Sequence, residues 1–191
     1  LPGLRDGLPR GAHVLRSLDD ARDISAAALN VDRAVVIGGG PLGLELACGL
    51  QHRGLSVTVM SIASTLLDRD LDPAVAQIVE ATANDLGIDF VGAAQISSVS
   101  VADGRVTAVR LADGTSYPAE LVVLAAGTAP ETGLASAAGL ETNVGIVVRH
   151  DLRTSQAPRI SAIGDCAETP TGVSGLVAPV WAQARALARS M

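Results

Sequence analysis

Ala34-Val35-Val36-Ile37-Gly38-Gly39-Gly40-Pro41-Leu42-Gly43 is the stretch on which the fold turns. A short apolar run gives way to glycines, and then to a proline that opens a helical pattern. An apolar run bounded by turn residues reads as a buried strand. Proline suits the first helical position, where the amide it lacks would have no partner, and Gly54 stands just past the expected helix end at His52. The middle spells G-x-G-x-x-G, directly after a strand and directly before a helix. Gly38 permits the tight turn, Gly40 lacks a Cβ so that a pyrophosphate can approach the backbone, and Gly43 lets helix and strand pack closely. Pro41 and Leu42 begin the helix, whose free N–H groups and partial positive charge suit phosphates.

The pattern repeats outward. Ser56–Met60 is β-branched and reads as a second strand. Asp72 caps a helix to Leu86, with Pro73 at its first position and Gly87 after its end. Ile88–Val91 is a third strand. The βαβαβ order is one mononucleotide-binding half of a doubly wound sheet. Before it, Leu1–Gly11 reads as a loop and Ser17–Leu29 as a helix with Ser17 as N-cap.

The period then changes. Ile96–Val101, Val106–Leu111 and Thr115–Tyr117 are short strands separated by Asp103-Gly104 and Asp113-Gly114. Asp-Gly between alternating strands signals a hairpin, so an antiparallel three-stranded meander stands where a crossover helix would be. Leu121–Ala126 returns as a buried strand. Beyond Pro130 we expect a short helix, strands at Gly145–Val148 and Ile160–Ile163, and a last helix from about Pro179. The fold class is α/β: a Rossmann-like parallel sheet with an antiparallel three-stranded insertion, followed by a partial second domain.

Composition excludes several functions. The 191 residues carry 14 basic and 20 acidic side chains, a net charge of −6 with pI near 4.9. A nucleic-acid binder needs a basic face, and three aromatics are too few for a base-stacking platform. The longest apolar runs fall far short of the roughly 20 residues of a membrane helix. Cys48 and Cys166 form no metal or redox spacing, the three histidines are scattered, and we expect no metal site, reduced thiols and a cytoplasmic protein. The chain opens at Leu1 without a Met, which reads as an excerpt of a longer polypeptide.

Other residues stand where chemistry is expected. The ribose-selecting position, at the end of the second strand, falls on Ser61. Serine is no carboxylate for a 2′-hydroxyl, and the nearest Arg, Arg69, is eight positions on, so NADH and NADPH stay open, with a tilt toward NADH. Glu45, placed in the first turn of the glycine helix, is either a favourable charge near a helix N-terminus or a polar group near a nicotinamide. Gly127 ends the returning strand, on the sheet edge where ligands bind. Ile163-Gly164-Asp165 presents a carboxylate suited to a polyol.

Taken in order, these pieces resemble the pyridine nucleotide–disulfide oxidoreductase superfamily, two-dinucleotide-binding-domain flavoproteins. Leu15–Asp20 resembles the segment entering the NAD(P)H domain, Val35–Ala47 its fingerprint, and Gly145–Arg153 with Ile163–Cys166 the returning FAD segment. Thr65–Pro73 and Gly175–Ala184 look like the FAD- and NAD(P)H-binding part of the large subunit of assimilatory NAD(P)H nitrite reductases. The resemblance implies a linker over 1–30, an NAD(P)H-binding domain over 31–130 and the C-terminal part of an FAD domain over 131–191. It implies hydride transfer from NAD(P)H to FAD. Glu45 would lie near the nicotinamide, Gly127 on its side, and Asp165 on the ribityl chain, with Pro179 opening a helix aimed at the flavin. It also implies an N-terminal FAD segment absent here and a downstream electron acceptor. Rubredoxin reductases, ferredoxin reductases, NADH oxidases and a non-catalytic dinucleotide-binding module are the alternatives.

Overall fold

Valine alternation decides the central sheet. In the computed structural model, which describes residues 7–190, strands β1 (Ala12–Val14), β2 (Arg33–Ile37), β3 (Ser56–Met60), β4 (Ile88–Val91) and β8 (Leu121–Leu124) form one parallel sheet. Its order is β1-β8-β2-β3-β4. Along β2, Val36 faces one side and Val35 and Ile37 the other, as successive side chains of a strand must. Val36, Val57, Val59, Leu121 and Val123 pack with Ile24, Ala47, Leu50 and Ala83. Those four lie on helices α1 (Leu18–Ala27), α2 (Pro41–Gln51) and α3 (Pro73–Asp85).

Val35, Ile37, Met60 and Val122 instead pack with Val99, Val106 and Val109 of the antiparallel meander. Its strands are β5 (Ile96–Ala102), β6 (Arg105–Leu111) and β7 (Ser116–Pro118). The meander therefore does two jobs: it carries the chain from β4 to β8, and it covers the face that the helices leave bare. Asp103 and Gly104 both have positive φ (50° and 72°), the two-residue turn whose twist matches a hairpin.

The local signals are obeyed with small shifts. Ser17 caps α1 in a reciprocal box with Asp20, and Asp72 caps α3 through the amides of Ala74 and Val75. The third meander strand is Ser116–Pro118, one residue on from the expected Thr115–Tyr117, and the returning strand stops at Leu124. Strand β1 lies just past the expected N-terminal loop: three residues carry too little pattern, and its burial comes from pairing with β8. Leu1–Asp6 of that loop lie outside the described residues.

The chain divides into two compact units, the first ending at Gly127 and the second starting at Thr128. The second unit holds α4 (Gly133–Ala137), the parallel pair β9 (Ile146–Val147) and β10 (Ala167–Glu168), and α5 (Val177–Ser190). Val148, Leu152, Ala162 and Ala167 form its core. Two expectations fail here. Ile160–Ile163 is not a strand: it makes one isolated bridge, Arg153 to Ser161. Its neighbour is a turn in which Leu152 is left-handed (φ 65°), and a turn offers no straight edge. The last helix starts at Val177, so Pro179 is its third residue. The first four amides of a helix have no intrahelical acceptor, so a proline there costs no hydrogen bond.

Candidate functional site

The first unit gathers its candidate residues at the carboxyl edge of the parallel sheet, where β8, β2 and β3 leave side by side. Each motif glycine proves to have a different reason. Gly38 has φ 135°, and a Cβ on it would run into the backbone of Ala125 and Ala126, at the exit of β8. A Cβ on Gly43 would collide with the carbonyl oxygen of Gly38. The close packing at Gly43 is thus chiefly helix against turn, with the strand side chain Val36 next, at 3.6 Å. Gly40 differs: a Cβ there would meet nothing within 4 Å. Its glycine is not demanded by any neighbour in the protein, which leaves space beside it for a ligand.

Gly40 is also the N-cap of α2, with Pro41 at the first helical position. The amide of Leu44 is bonded back to the Gly40 carbonyl at 3.0 Å. The amides of Leu42 and Gly43 precede the first intrahelical donor, Leu44, and point out of the helix start. Leu42 is 43% exposed. A helix N-terminus with unpaired amides, preceded by an open glycine, is an anion cradle.

Ser61 leaves β3 beside this turn. A Cβ on Gly39 would stand 3.0 Å from Ser61 Cβ and 3.2 Å from its Oγ, so the Ser61 side chain lies against the glycine turn. The amide of Ala63 donates to Ser61 Oγ at 3.2 Å, which leaves the hydroxyl proton free to donate outward. Gly127, with φ 100° and nothing within 4 Å of its Cβ position, needs glycine for its backbone conformation and not for room.

Glu45 departs from its expected place. It is the fifth residue of α2, past the first turn, and exposed. There it lines a cleft of about 330 Å³ between α1 and α2, with Leu15, Ile24, Leu46 and Arg53.

In the second unit, Gly164 (φ 79°) and Asp165 form a tight helical turn, and Gln183 of α5 accepts the amide of Gly164 at 2.8 Å. That bond, from the middle of α5, holds the helix beside the turn, where Val180 also packs against Gly164. Asp165, Cys166, Gly175, Leu176, Val177 and Val180 line a cleft of about 490 Å³. Asp165 and the first turn of α5 are therefore neighbours, although the helix presents Val177 and Val180, not Pro179, to the cleft. Gln183 had no signal in the sequence, since a glutamine in an amphipathic helix is usually solvated.

The open helix start, a serine at the end of the second strand and the Gly-Asp turn are all features expected of a flavoprotein that uses a nicotinamide cofactor. Comparisons agree. The family model described as pyridine nucleotide-disulphide oxidoreductase matches residues 1–185. The NAD(P)H nitrite reductase of Bacillus subtilis (strain 168) is 38% identical over 182 residues, which is 95% of this chain and 22% of that protein. Putidaredoxin reductase of Pseudomonas putida is 39% identical over 155 residues, covering 80% of this chain and 36% of the relative. The crystal structure of the ferredoxin reductase for the CYP199A2 system from Rhodopseudomonas palustris superposes with a TM-score of 0.90 at 33% identity, over 100% of this chain and 48% of that one. The chain thus spans less than half the length of each of these proteins, and it belongs to the pyridine nucleotide-disulphide oxidoreductase family.

Proposed function

We propose that this chain is the NAD(P)H-binding domain, with the C-terminal part of the FAD domain, of an oxidoreductase that moves hydride from NAD(P)H to FAD. The observation that carries the reading is the open Cβ side of Gly40 at the start of α2. We assign the pyrophosphate to the amides around Gly38, Gly40, Pro41, Leu42 and Gly43, and the adenosine ribose to Ser61. Gly127 gives the nicotinamide end a close approach to the backbone. Glu45 is the polar group on the same helix.

The Gly164–Asp165 turn fits a flavin's polyol chain, because an exposed carboxylate accepts hydroxyl protons. The start of α5, set beside it by Gln183, offers a partial positive charge to a reduced, anionic ring. Bound FAD supplies the hydride-accepting chemistry; the residues named here place it and tune its charge. One G-x-G-x-x-G serves one pyrophosphate, so we assign the ADP half of the FAD site to a segment outside these 191 residues, in keeping with the greater length of the relatives. The electron acceptor lies there too, and the nitrite reductase likeness favours a domain of that type over a separate ferredoxin or rubredoxin. The two free thiols suit a reducing cytoplasm, and no described helix is long and apolar enough to cross a membrane.

The test is direct. NADH titrated into the chain should bind, and the chain alone should purify without stoichiometric FAD. The parent protein should purify yellow and bleach with NADH. A colourless parent that still binds NADH would instead make this a non-catalytic dinucleotide-binding module.

A further inference from the structure

We propose that Glu80, on α3, is a positioning residue for the adenosine end of the dinucleotide site, acting through the loop Ser61–Leu67. The inference rests on the assignment of that site given above.

The loop leaves β3 and is tied down on three sides. Toward the end of β4 and the segment after it, the amide of Ser61 donates to Val91 O, and those of Ala93 and Ala94 donate to Ala63 O and Ser61 O. Toward the glycine turn, the amide of Leu67 donates to Gly39 O at 2.9 Å. Toward α3, the amide of Leu66 donates to Glu80 Oε1 at 2.9 Å in a part-buried setting. Of these ties the last alone uses a side chain, and its acceptor is a carboxylate, which makes the stronger kind of bond.

What Glu80 holds is a wedge. The Leu66 side chain is wholly buried, 0% exposed, and its Cδ2 lies 3.4 Å from the place of a Cβ on Gly39. Ser61 approaches the same point, with its Cβ at 3.0 Å and its Oγ at 3.2 Å. Leu67, next in line, is left-handed with φ 54°, a conformation a leucine keeps only when its neighbours fix it. Leu66 and Ser61 together therefore brace Gly39, the middle of the phosphate turn. The Ser61 hydroxyl and the 87% exposed Ile62 belong to the same tied loop. Without the carboxylate, a part-buried N–H loses its acceptor, the wedge loosens, and both the ribose position and the turn lose their fixed geometry. Glu80 itself need touch no ligand.

The experiment compares wild type, Glu80→Met and Glu80→Gln in the 191-residue chain, with NADH and ADP-ribose as titrants. Methionine keeps the side-chain length and removes the acceptor, whereas glutamine restores an oxygen. We expect Glu80→Met to weaken both ligands by the same factor, about fivefold, since the lost contacts serve the adenosine half they share. The Leu66 amide should exchange faster in the unliganded variant, while the amides of β2 and β3 keep their protection. Glu80→Gln should return binding to within about twofold of wild type. Unaltered binding in Glu80→Met, where wild type binds NADH, overturns the role of Glu80 and leaves the dinucleotide site standing. A loss of protection throughout the sheet, or no recovery in Glu80→Gln, overturns it equally. Absence of NADH binding in the wild type removes the dinucleotide site, and this inference with it.

Discussion

The two units carry one candidate site each, and they are built on opposite plans. In the first, the site sits on a five-stranded parallel sheet whose two faces are both covered, by helices on one side and the meander on the other. In the second, four residues make the core, the sheet is two short strands, and no residue of the fourteen-residue α5 is buried. Where the sheet is complete, position is enforced by backbone packing: Gly38 against Ala125 and Gly43 against Gly38. Where it is not, position is enforced by single side chains, such as Gln183 on Gly164 and Glu168 on Gly145. The glycine turn breaks when atoms are added, whereas the loop beside it, tied to Glu80, and the second site break when a hydrogen-bonding group is removed.

Gly43→Val tests the first plan most severely. Its branched side chain would have to displace the Gly38 carbonyl, and overpacking of this kind costs about 1–3 kcal/mol. Calorimetry should show a lowered thermal midpoint, and NADH binding should fall with it. Gly40→Val separates stability from binding. Nothing stands within 4 Å of that Cβ position, so the midpoint should fall only by the small cost of a poorer N-cap residue, while NADH binds at least about tenfold more weakly, roughly 1.4 kcal/mol. Unchanged NADH binding in Gly40→Val would mean that the open side of Gly40 is not where the pyrophosphate sits, and equal melting losses in the two variants would mean that this side is not open.

Ser61→Glu is a gentler change at the same edge. A carboxylate would accept hydrogen bonds from the adenosine ribose and repel a 2′-phosphate. A neutral hydroxyl contributes only about 0.5–1.5 kcal/mol. The NADH/NADPH affinity ratio should therefore rise by about tenfold, mainly through weaker NADPH, as seen by titrating both cofactors into both proteins. An unchanged ratio would show that Ser61 does not face the ribose.

The contrast between the units also explains what could be read from the residues alone. Strand, turn and helix of the glycine motif are consecutive, so the signal for Gly38, Gly40 and Gly43 is local and the sheet follows from it. The contact that makes Gly38 obligatory, with Ala125, spans 87 positions and is invisible in the local pattern. Glu80 is the single glutamate of its helix, and its partner Leu66 precedes it by 14 positions across an irregular loop. In the second unit, periodicity misleads outright. Ile160–Ile163 has the composition of a strand, but Leu152 in a left-handed turn gives it no edge to join. Glu45 lies one residue beyond the expected first turn, because a turn of 3.6 residues counted from Pro41 is complete at Leu44.

Glu168 supplies the smallest effect and the finest test of the second plan. Its carboxylate accepts the Gly145 amide on Oε2 and the Asn143 side-chain amide on Oε1, each at 2.9 Å. The Gly145 amide first, and Asn143 next, hold its pKa below the ordinary glutamate value. A depressed pKa means that the folded state favours the ionised form. The stabilisation is then complete above the ordinary glutamate range and is lost as pH falls through that range toward the lowered folded value. Glu168→Gln removes the titration and leaves one oxygen to serve two donors. Its thermal midpoint should lie slightly below wild type near neutral pH, and the gap should close as pH falls below about 4. Asp20, also held below its ordinary value by the Ser17 amide, titrates identically in both proteins and cancels in the difference. A gap that stays constant across the acid range would assign the loop's order to the shape of the Glu168 side chain and not to its charge.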